Sequence, residues 1–456
     1  MGAKSLPYVN RQSGARDSSV ARPPIGGSKI MPSNEASRGR GLFNAAAAIV
    51  TMLVLVLLTS LTHAATDPAT LASQTMAGAV GVTTRVSVGP GGVQATADSI
   101  SSSISADGRH IGFHTYDGSL VPGGVYGMSE ILVYARSSGA LVRVSASSDD
   151  EPAMGLTWGP DISGDGRFAV FSSQAANLVA NDTNQKYDIF VHDLETRTTS
   201  RVSVRTNGAQ GNGEAEVSAT ISDDGRFVAF GSSASNMVSG DTNGADDIFV
   251  HDRQTGQTTR VSVRSNGEQA NANSWGASIS STGRFVVFNS YATNLVDDDT
   301  NNELDVFLHD RETGQTERIS VSSSGVQGND YSAASATIVG GRYVCFTSYA
   351  NNLVTGDTNY YPDAFVRDRQ TGQTTRVSVS SDGVQGNKYV NSCELSADGR
   401  YVAFDSWASN LVNNDTNNEY DVFLHDRQTG QTTLVSVSTS GVQGNNTSAH
   451  PSISAD

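Results

Sequence analysis

The hydrophobic residues of this chain fall in short runs, and turn-forming residues separate one run from the next. From Thr83 onward, runs such as FVAF at Phe227 and DIFVHD at Asp247 are rich in Val, Ile and Phe. They are bounded by Gly, Asp, Ser and Thr, and none continues with the spacing of an amphipathic helix. Short runs between turn signals predict β-strands. The pattern therefore predicts an all-β protein.

The runs belong to one unit of about 58 residues. A Gly-Arg step marks each of its six copies at intervals of 58 or 59 residues, and the glycines are Gly108, Gly166, Gly225, Gly283, Gly341 and Gly399. A repeat of this length is typical of propellers, solenoids and arrays. Each unit predicts four strands, named A to D in chain order. An Asp-Gly turn joins A to B, a long polar loop joins B to C, and a Thr-Gly turn joins C to D.

Four antiparallel strands without a covering helix must bury a face against neighbouring units. A ring of such sheets is a β-propeller, which the sequence predicts over residues 83–456, with a linear array as the alternative. The chain carries a lone strand D at Arg85–Val88, six complete units and a partial seventh unit at 452–456. We expect a truncated seven-bladed ring. A six-bladed ring with two spare strands is the alternative.

The repeated residues resemble a known repeat family. SADGRYVAF from Ser396, DVFLHD from Asp421 and TTRVSV from Thr258 are similar to the PD-type propeller repeats of TolB-like proteins. The resemblance covers residues 83–456 and implies the propeller fold. It implies no single activity, because such repeats occur in scaffolds, in propellers attached to peptidases and in lyases. The small N-terminal domain of TolB has no counterpart in this sequence.

Residues 1–64 predict export. Ala45–Leu61 is apolar, follows Arg38 and ends near the small residue Ala64, which is the pattern of a secretory signal. A membrane anchor is the alternative, although 17 apolar residues are few for one. Met31 is a possible true start, and residues 65–82 are predicted to be a linker. We expect a periplasmic or extracellular protein that is not inserted in the membrane after signal cleavage.

The exported part of the chain is strongly acidic. Residues 65–456 contain 44 acidic and 23 basic residues, which gives a formal charge of −21. Such a surface repels nucleic acid and anionic membranes. We therefore expect no nucleic-acid partner.

Several charged residues recur in most copies, which favours a structural role over catalysis. An Arg at the start of strand B should pair with an Asp at the end of strand C. The pairs are Arg167–Asp193, Arg226–Asp252, Arg284–Asp310, Arg342–Asp368 and Arg400–Asp426. In the first unit Ala135 replaces the Asp, so Arg109 should lack this partner. One position of strand C carries His192, His251, His309 and His425, which we expect to be bonded within their blades.

The B–C loop carries Asp-Thr-Asn-x-x-x-Asp in five units. Oxygen ligands at the first, third and seventh positions suit Ca²⁺, and simple Asx turns are the alternative. The first unit has Gly124 in place of the first Asp and should lack this site. The candidate ligands are Asp182, Asn184, Asp188, Asp241, Asn243, Asp247, Asp299, Asn301, Asp305, Asp357, Asn359, Asp363, Asp415, Asn417 and Asp421.

Aromatic residues that do not recur gather at one face of the predicted ring. They are Trp158, Trp275, Tyr291, Tyr349 and Trp407, all placed near the B–C and D–A connections. Tyr and Trp around polar loops are typical of binding surfaces, and shielding of the blade ends is the alternative. The two cysteines, Cys345 and Cys393, replace alanines of other units. We expect buried free thiols there, with a disulfide as the alternative that export permits.

No catalytic motif is evident: the chain lacks a Gly-x-Ser-x-Gly elbow and a paired-His metal spacing. The sequence therefore predicts an exported, non-catalytic propeller that binds a protein or glycan through its B–C/D–A face and is stabilised by calcium. A propeller-fold polysaccharide lyase or glycosidase is one alternative. A structural spacer within a longer surface protein is another.

Overall fold

The computed structural model describes residues 81–124, 127–333 and 338–455, and the predicted signal and nearly all of the linker lie outside them. Six antiparallel sheets of four strand positions each form a ring, which confirms the predicted all-β propeller. In each blade the strands lie in the order A-B-C-D from the central channel outward. Among the described residues the only helical segment is a 3₁₀ turn at Pro90–Gly92.

The strand bounds follow the repeat closely. Blade 1 contains β1 (Ser99–Ile104), β2 (His110–Thr115), β3 (Glu130–Ala135) and β4 (Ala140–Arg143), and blade 2 contains β5 (Thr157–Ile162), β6 (Phe168–Ser173), β7 (Asp188–Asp193) and β8 (Thr198–Arg201). Blade 3 contains β9 (Ala215–Ile221), β10 (Phe227–Ser232), β11 (Asp247–Asp252) and β12 (Gln257–Arg260), and blade 4 contains β13 (Ser274–Ile279), β14 (Phe285–Ser290), β15 (Asp305–Asp310) and β16 (Gln315–Arg318). Blade 5 contains β17 (Ser332–Ala333) and β18 (Ile338–Val339) in the strand A position, then β19 (Tyr343–Ser348), β20 (Asp363–Asp368) and β21 (Gln373–Arg376). Blade 6 contains β22 (Val390–Leu395), β23 (Tyr401–Ser406), β24 (Asp421–Asp426) and β25 (Gln431–Leu434).

The hydrophobic core lies between blades. At the junction of blades 2 and 3, blade 2 contributes Val170 of strand B, Ile189 and Val191 of strand C, and Val202 directly after strand D. They pack against apolar residues of blade 3 such as Val228 and Phe230. The junctions that follow use equivalent positions. Each blade therefore depends on its neighbours for a buried face.

Contacts between blades on the side of the A–B turns explain the recurring glycine of the Gly-Arg step. Gly283 has φ +72°, and a side chain there would collide with the ring of Phe227 in the preceding blade. The guanidinium carbon of Arg311 lies 4.4 Å from the centre of that same ring, in a cation–π arrangement. Glycine is thus required both by the turn and by the close approach of the neighbouring blade.

The predicted cross-strand ion pairs are confirmed. Arg284 donates from Nε and Nη2 to both carboxylate oxygens of Asp310, at 2.9 and 2.7 Å, and the other four pairs have the same geometry. These bonds hold the pKa of each Asp well below its usual range. In blade 1 the position facing the turn is Ala135, so Arg109 lies near only Asp107 of its own turn, at 3.7 Å.

The recurring histidines are also internal, as predicted. In each histidine, Nδ1 forms one hydrogen bond with a Thr hydroxyl of strand D, and the distance is 2.9 Å in every case. All four are nearly buried, and burial lowers the pKa of each imidazole. They therefore belong to the blades and not to an open site.

The prediction of free thiols is wrong. Cys345 in β19 and Cys393 in β22 form a disulfide with Cα atoms 6.2 Å apart. The reason is geometric, because these two positions face each other across the junction of blades 5 and 6. At other junctions small residues such as Ala229 and Ala277 occupy the same places. The predicted close packing is confirmed, and the alternative of a disulfide is correct.

The N-terminal end of the described chain lies against blade 6. Thr83 donates from Oγ1 to the carbonyl of Val437 at 2.6 Å, and its N–H donates to Oγ1 of Thr439 at 3.0 Å. In blade 6, Thr432 makes the same two bonds to Val379 and Ser381 of blade 5, at 2.5 and 3.0 Å. Thr83 therefore stands where strand D of a further blade would stand.

The C-terminal segment 448–455 occupies the matching strand A position. Ile453 donates its N–H to Glu394 of blade 6 at 3.2 Å, and Ala455 donates to the carbonyl of Ala106 in blade 1 at 2.9 Å. Ala106 donates to Gly164 of blade 2 in the same way, at 3.2 Å. The ring thus has six complete blades, as the six-bladed alternative states. Its two spare segments lie at a seventh position between blades 6 and 1.

The disulfide gives the first testable prediction. Replacing both cysteines, Cys345→Ala and Cys393→Ala, should lower the free energy of unfolding by about 2–4 kcal/mol without changing the fold. The pair closes a loop with a sequence separation of 48 residues, and alanine already fills these positions elsewhere. Chemical denaturation with and without reductant measures the effect. The double variant should not respond to reductant, and an intact protein equally indifferent to reductant would contradict a stabilising crosslink.

Candidate functional site

The B–C and D–A connections emerge together on one face of the ring, here called the loop face. On it, blades 5 and 6 carry a cluster of rings and one lysine, here called the aromatic patch. Its members are Tyr331, Tyr349, Tyr361, Lys388, Tyr389, Trp407 and Tyr420. Tyr349, Tyr389 and Trp407 expose 38%, 36% and 43% of their surface. Two of the predicted binding residues, Tyr349 and Trp407, belong to this patch.

The rings of the patch form two groups of contacting neighbours. The ring centroid of Tyr349 lies 6.1 Å from that of Tyr331 and 6.4 Å from that of Tyr389, in edge-on arrangements. The centroids of Tyr389 and Tyr361 are 4.7 Å apart. Trp407 stacks on Tyr420 with centroids 6.0 Å apart. These distances are those of favourable aromatic pairs. The rings therefore hold one another in place while keeping part of their surface in solvent.

Lys388 joins the two halves of the patch. Its Nζ atom lies 5.3 Å from the ring centre of Tyr361 and 5.6 Å from that of Trp407. Lys388 is one of only two lysines in residues 65–456, the other being Lys186. A cation between two aromatic faces is held by both ring quadrupoles. The patch therefore combines apolar ring faces with one positive charge on an otherwise acidic protein.

The remaining predicted binding residues lie elsewhere on this face. Trp275 and Tyr291 form a separate pair in blade 4, with centroids 5.2 Å apart. Trp158 packs 5.0 Å from His114, and its indole N–H donates to the hydroxyl of Tyr187 at 3.2 Å. Burial lowers the pKa of His114 to about 4. Trp158 is thus engaged by its neighbours more fully than Tyr291 or Trp407.

Sequence reasoning missed Lys388, Tyr389 and Tyr331. The position before strand A holds Tyr331 and Tyr389 in blades 5 and 6 and Leu156, Glu214 and Asn273 in blades 2 to 4. That contrast could have identified both tyrosines as departures from the repeat. Their grouping with Tyr349 and Trp407 could not be read from the repeat, because it depends on how two blades meet.

In the B–C loops, each pair of carboxylates accepts hydrogen bonds from side chains of the protein itself. In blade 4, Nη1 of Arg318 lies 3.3 Å from both Asp299 and Asp305, and the amide of Gln327 donates to the same two carboxylates at 2.8 and 3.0 Å. Arg201, Arg260 and Arg376 hold the pairs of blades 2, 3 and 5. The side-chain oxygen of Asn301 accepts an N–H two residues ahead, as in an Asx turn.

Blade 6 differs at one position of this arrangement. Leu434 stands where the other four loops have Arg, so Gln443 alone bridges Asp415 and Asp421, at 2.9 and 2.8 Å. Burial raises the pKa of Asp415. Among the described residues, no three His, Cys, Asp or Glu side chains group as a metal cluster. Calcium binding by the five loops stays a prediction, and blade 6 is where a cation competes least with the protein's own donors.

The central channel forms a second candidate site, which sequence reasoning missed. A cavity of about 370 Å³ opens on the face opposite the loop face and is lined by the ends of all six blades and by Ile453 and Ala455. Its wall carries Asp161 and Glu394 where Ser103, Thr220 and Ser278 stand in other blades. The exposed part of each carboxyl therefore faces the channel and not the outer surface.

Both channel carboxyls accept backbone hydrogen bonds from the next blade. Asp161 accepts from the N–H of Ile221 at 3.0 Å, and Glu394 from that of Ile453 at 3.2 Å. Enclosure raises the pKa of Asp161 to about 6 and that of Glu394 to about 8. The hydroxyl oxygen of Thr220 accepts the equivalent bond from the N–H of Ile279 at 3.0 Å. Both carboxyls thus hold blades together and can also gain or lose a proton near neutral pH.

Comparison with known proteins assigns this chain neither a family nor an activity. No family model and no curated protein matches the chain. Solved structures similar to this chain include TolB from Acinetobacter baumannii, 15% identical, with a TM-score of 0.39 over 67% of this chain and 58% of that one. The β-propeller domain of the Trilobed protease from Pyrococcus furiosus is 12% identical, with a TM-score of 0.44 over 74% and 84%. An oligogalacturonate lyase from Vibrio parahaemolyticus is 12% identical, with a TM-score of 0.44 over 73% and 75%.

The propeller fold of this chain is shown by its own six antiparallel sheets, and the solved structures similar to it have differing activities. The match reaches just over half of the A. baumannii TolB chain. Within the described residues, no helix has the length and apolar character needed to cross a membrane.

The channel predicts a pH-dependent stability. A carboxyl whose folded pKa is raised adds stability at low pH, and this stability is lost as pH rises through the raised value. Glu394→Gln keeps a hydrogen-bond acceptor for Ile453 and removes the charge. Its free energy of unfolding near pH 9 should exceed that of the parent protein by on the order of 2 kcal/mol, since one pKa unit is worth about 1.4 kcal/mol and water in the channel screens part of the effect. Thermal melts at pH 6 and pH 9 measure this, with exposed Glu303→Gln as control. Equal pH slopes in both variants would contradict it.

Proposed function

We propose that this chain is an exported, non-catalytic propeller that binds a glycan through the aromatic patch of blades 5 and 6. The observation that carries the proposal is the set of partly exposed rings held by mutual contacts around Lys388. Sugar rings present C–H faces that pack on aromatic rings and hydroxyls that need polar partners. A surface that offers both, on the rigid ends of strands, suits such a ligand.

Polar groups lie next to the exposed rings. Trp407 is fixed by its indole N–H, which donates to the carbonyl of Asn418 at 2.8 Å. Asn391 donates to Asp405 at 3.0 Å, at the inner end of the same blade. The rings supply contact area with little loss of side-chain freedom, and the amides and Lys388 supply hydrogen-bond donors. A protein partner would use the same face and is distinguished by the experiment.

The enzymatic alternative receives less support from the channel. Its two unusual carboxyls, Asp161 and Glu394, bond the backbone of neighbouring blades. No histidine is among the described residues that line the channel. A lyase or glycosidase would need acid and base groups free to act on a substrate, whereas both of these carboxyls are engaged in structural hydrogen bonds.

The binding test uses a glycan array followed by calorimetry with the best ligand. Tyr349→Ala and Trp407→Ala should each weaken binding about tenfold or more, as expected for central aromatic contacts. Tyr291→Ala is the matched control, because Tyr291 is 44% exposed on blade 4 but lies outside the patch. All three variants should melt within a few degrees of the parent protein.

The outcome decides between partners. Loss of glycan binding in both patch variants but not in Tyr291→Ala supports the proposal. Loss in Tyr291→Ala alone would move the site to the Trp275–Tyr291 pair. A parent protein that binds no glycan, but captures a protein ligand through Tyr349 and Trp407, would replace the glycan with a protein partner.

We also propose that calcium stabilises the loop of blade 6. Asp415 and Asp421 lack the Arg that neutralises the equivalent pairs of the other loops, and their charges repel each other. Chelator should lower the melting temperature, and Ca²⁺ should restore it better than Mg²⁺, whose octahedral demand is stricter. One site at ~100 times its dissociation constant adds about 2.7 kcal/mol.

Two variants make this prediction specific. Leu434→Arg supplies the cation found in blades 2 to 5 and should remove the calcium response while raising the melting temperature in chelator. The double change Asp299→Asn and Asp305→Asn in blade 4 is the matched control and should leave the response intact. A parent melt that ignores chelator, with no calcium by elemental analysis, would leave all five loops as Asx turns.

A further inference from the structure

The central channel holds two carboxyls at a position where most copies of the repeat have a hydroxyl. This position directly precedes the recurring Ile or Leu near the end of strand A, and it carries Asp161 in blade 2 and Glu394 in blade 6. Blades 1, 3 and 4 carry Ser103, Thr220 and Ser278 there. The two acids are therefore departures from the repeat, and a site that the ring needs only once is expected at such departures.

The hydrogen bond between blades at this position does not require a charge. The hydroxyl oxygen of Ser103 accepts the N–H of Ile162 at 3.1 Å, and Thr220 accepts the equivalent bond at 3.0 Å. Asp161 and Glu394 accept theirs at 3.0 and 3.2 Å. A neutral hydroxyl thus makes the same bond without the desolvation cost of an enclosed carboxylate. The negative charge of the two acids is therefore not explained by the contact between blades.

The walls around the two acids are aliphatic. The Ile or Leu that follows this position lines the cavity in all six blades, as Ile162 and Leu395 do beside Asp161 and Glu394. The cavity volume of about 370 Å³ lies within the range of small-molecule sites, about 300–1,000 Å³. A ligand in the channel would thus meet apolar surface and negative charge together.

The charged groups of the cavity are all acidic. Among the described residues that line it, the ionisable side chains are Asp161, Asp223 and Glu394, and none is Lys, Arg or His. Burial raises the pKa of Glu394, and the charge of Asp161 adds to that rise. Burial likewise raises the pKa of Asp161, with a further contribution from Asp223. Asp165 and Asp224, whose charges reach Asp223, are acidic as well. A bound cation would relieve both the repulsion and the cost of enclosure.

We propose that the central channel binds an aliphatic amine, with the ammonium group on Asp161 and Glu394 and the hydrocarbon chain against the aliphatic walls. An ammonium group offers three N–H donors. An ionised carboxylate has about four acceptor positions, and the backbone bond of Ile453 uses one of those on Glu394. A bare metal ion fits less well, because within the described residues no three His, Cys, Asp or Glu side chains group as a metal cluster and the aliphatic walls offer no ligand atoms.

The test compares n-hexylamine with 1-hexanol, its neutral analogue, in calorimetric titrations of the full chain at pH 9. Hexylamine should bind at one site per chain and at least about tenfold more tightly than hexanol, as expected for a charged contact in an enclosed site. Asp161→Thr introduces the residue of blade 3, and Glu394→Gln keeps the size and an acceptor. Each should weaken hexylamine binding about tenfold, while Glu303→Gln, at an exposed acid on a B–C loop, should not change it.

The pH dependence of binding is a second readout. Burial raises the pKa of Asp161 to about 6 and that of Glu394 to about 8, so both carry their full charge only at higher pH. An alkyl ammonium keeps its proton up to about pH 10. The affinity for hexylamine should therefore rise about tenfold or more from pH 5 to pH 9, and the affinity for hexanol should stay level. The rise above pH 7 should be missing in Glu394→Gln.

The outcomes separate this site from its alternatives. Loss of hexylamine binding in Asp161→Thr and Glu394→Gln, with hexanol binding and the Glu303→Gln variant unchanged, supports the proposal. Absence of hexylamine binding, or equal affinities for hexylamine and hexanol, would overturn a site for a cation. Hexylamine binding that survives both channel variants would place the amine elsewhere on this acidic protein. Displacement of hexylamine by an equal concentration of Ca²⁺ would assign the channel to an inorganic cation instead.

Discussion

The burial of each sheet between two neighbours is the constraint on which the whole ring depends. A four-stranded blade has two apolar faces and no helix to cover them, so it cannot form a core alone. Val202 at 2% exposure and Val228 at 0% meet only because blades 2 and 3 lie side by side. Full burial of one such side chain contributes roughly 1.5–3 kcal/mol, and every junction repeats that contribution several times.

The repeat explains why so much of the fold could be predicted. Six internal copies act as an alignment, so the ion pair of Arg284 with Asp310 could be predicted from strand direction. The repeat does not tell which positions face one another across a junction. The prediction of free thiols at Cys345 and Cys393 is therefore wrong, and the contact of Lys388 with Tyr361 of the preceding blade does not follow from the sequence. Contacts within a blade follow from sequence order, whereas contacts between blades need three-dimensional geometry.

The acidic residues of the repeat illustrate what the spacing of a recurring pattern leaves out. Spacing alone makes carboxylates such as Asp299 and Asp305 candidate ligands for an external cation. In the structure Arg318, which lies at the end of strand D and 13 residues after Asp305, forms ion pairs with both carboxylates. The equivalent arginines recur in the sequence, but their role was hidden because the path of the long B–C loop is not periodic. The informative residue is the exception, Leu434, which changes the charge of a single loop.

Blade 6 carries both sites proposed on the loop face. Trp407 directly follows β23 and stacks on Tyr420, which lies in the B–C loop between Asp415 and Asp421. A calcium ion bound by those two carboxylates would order the loop that carries Tyr420. Since a ligand that orders a segment lowers the entropic cost for a second ligand using the same segment, calcium should strengthen glycan binding at the patch. The coupling must be reciprocal, so a glycan on the patch should tighten calcium binding by the same factor. In blade 4, Arg318 already holds the equivalent carboxylates, so a ligand at the Trp275–Tyr291 pair should show no such coupling.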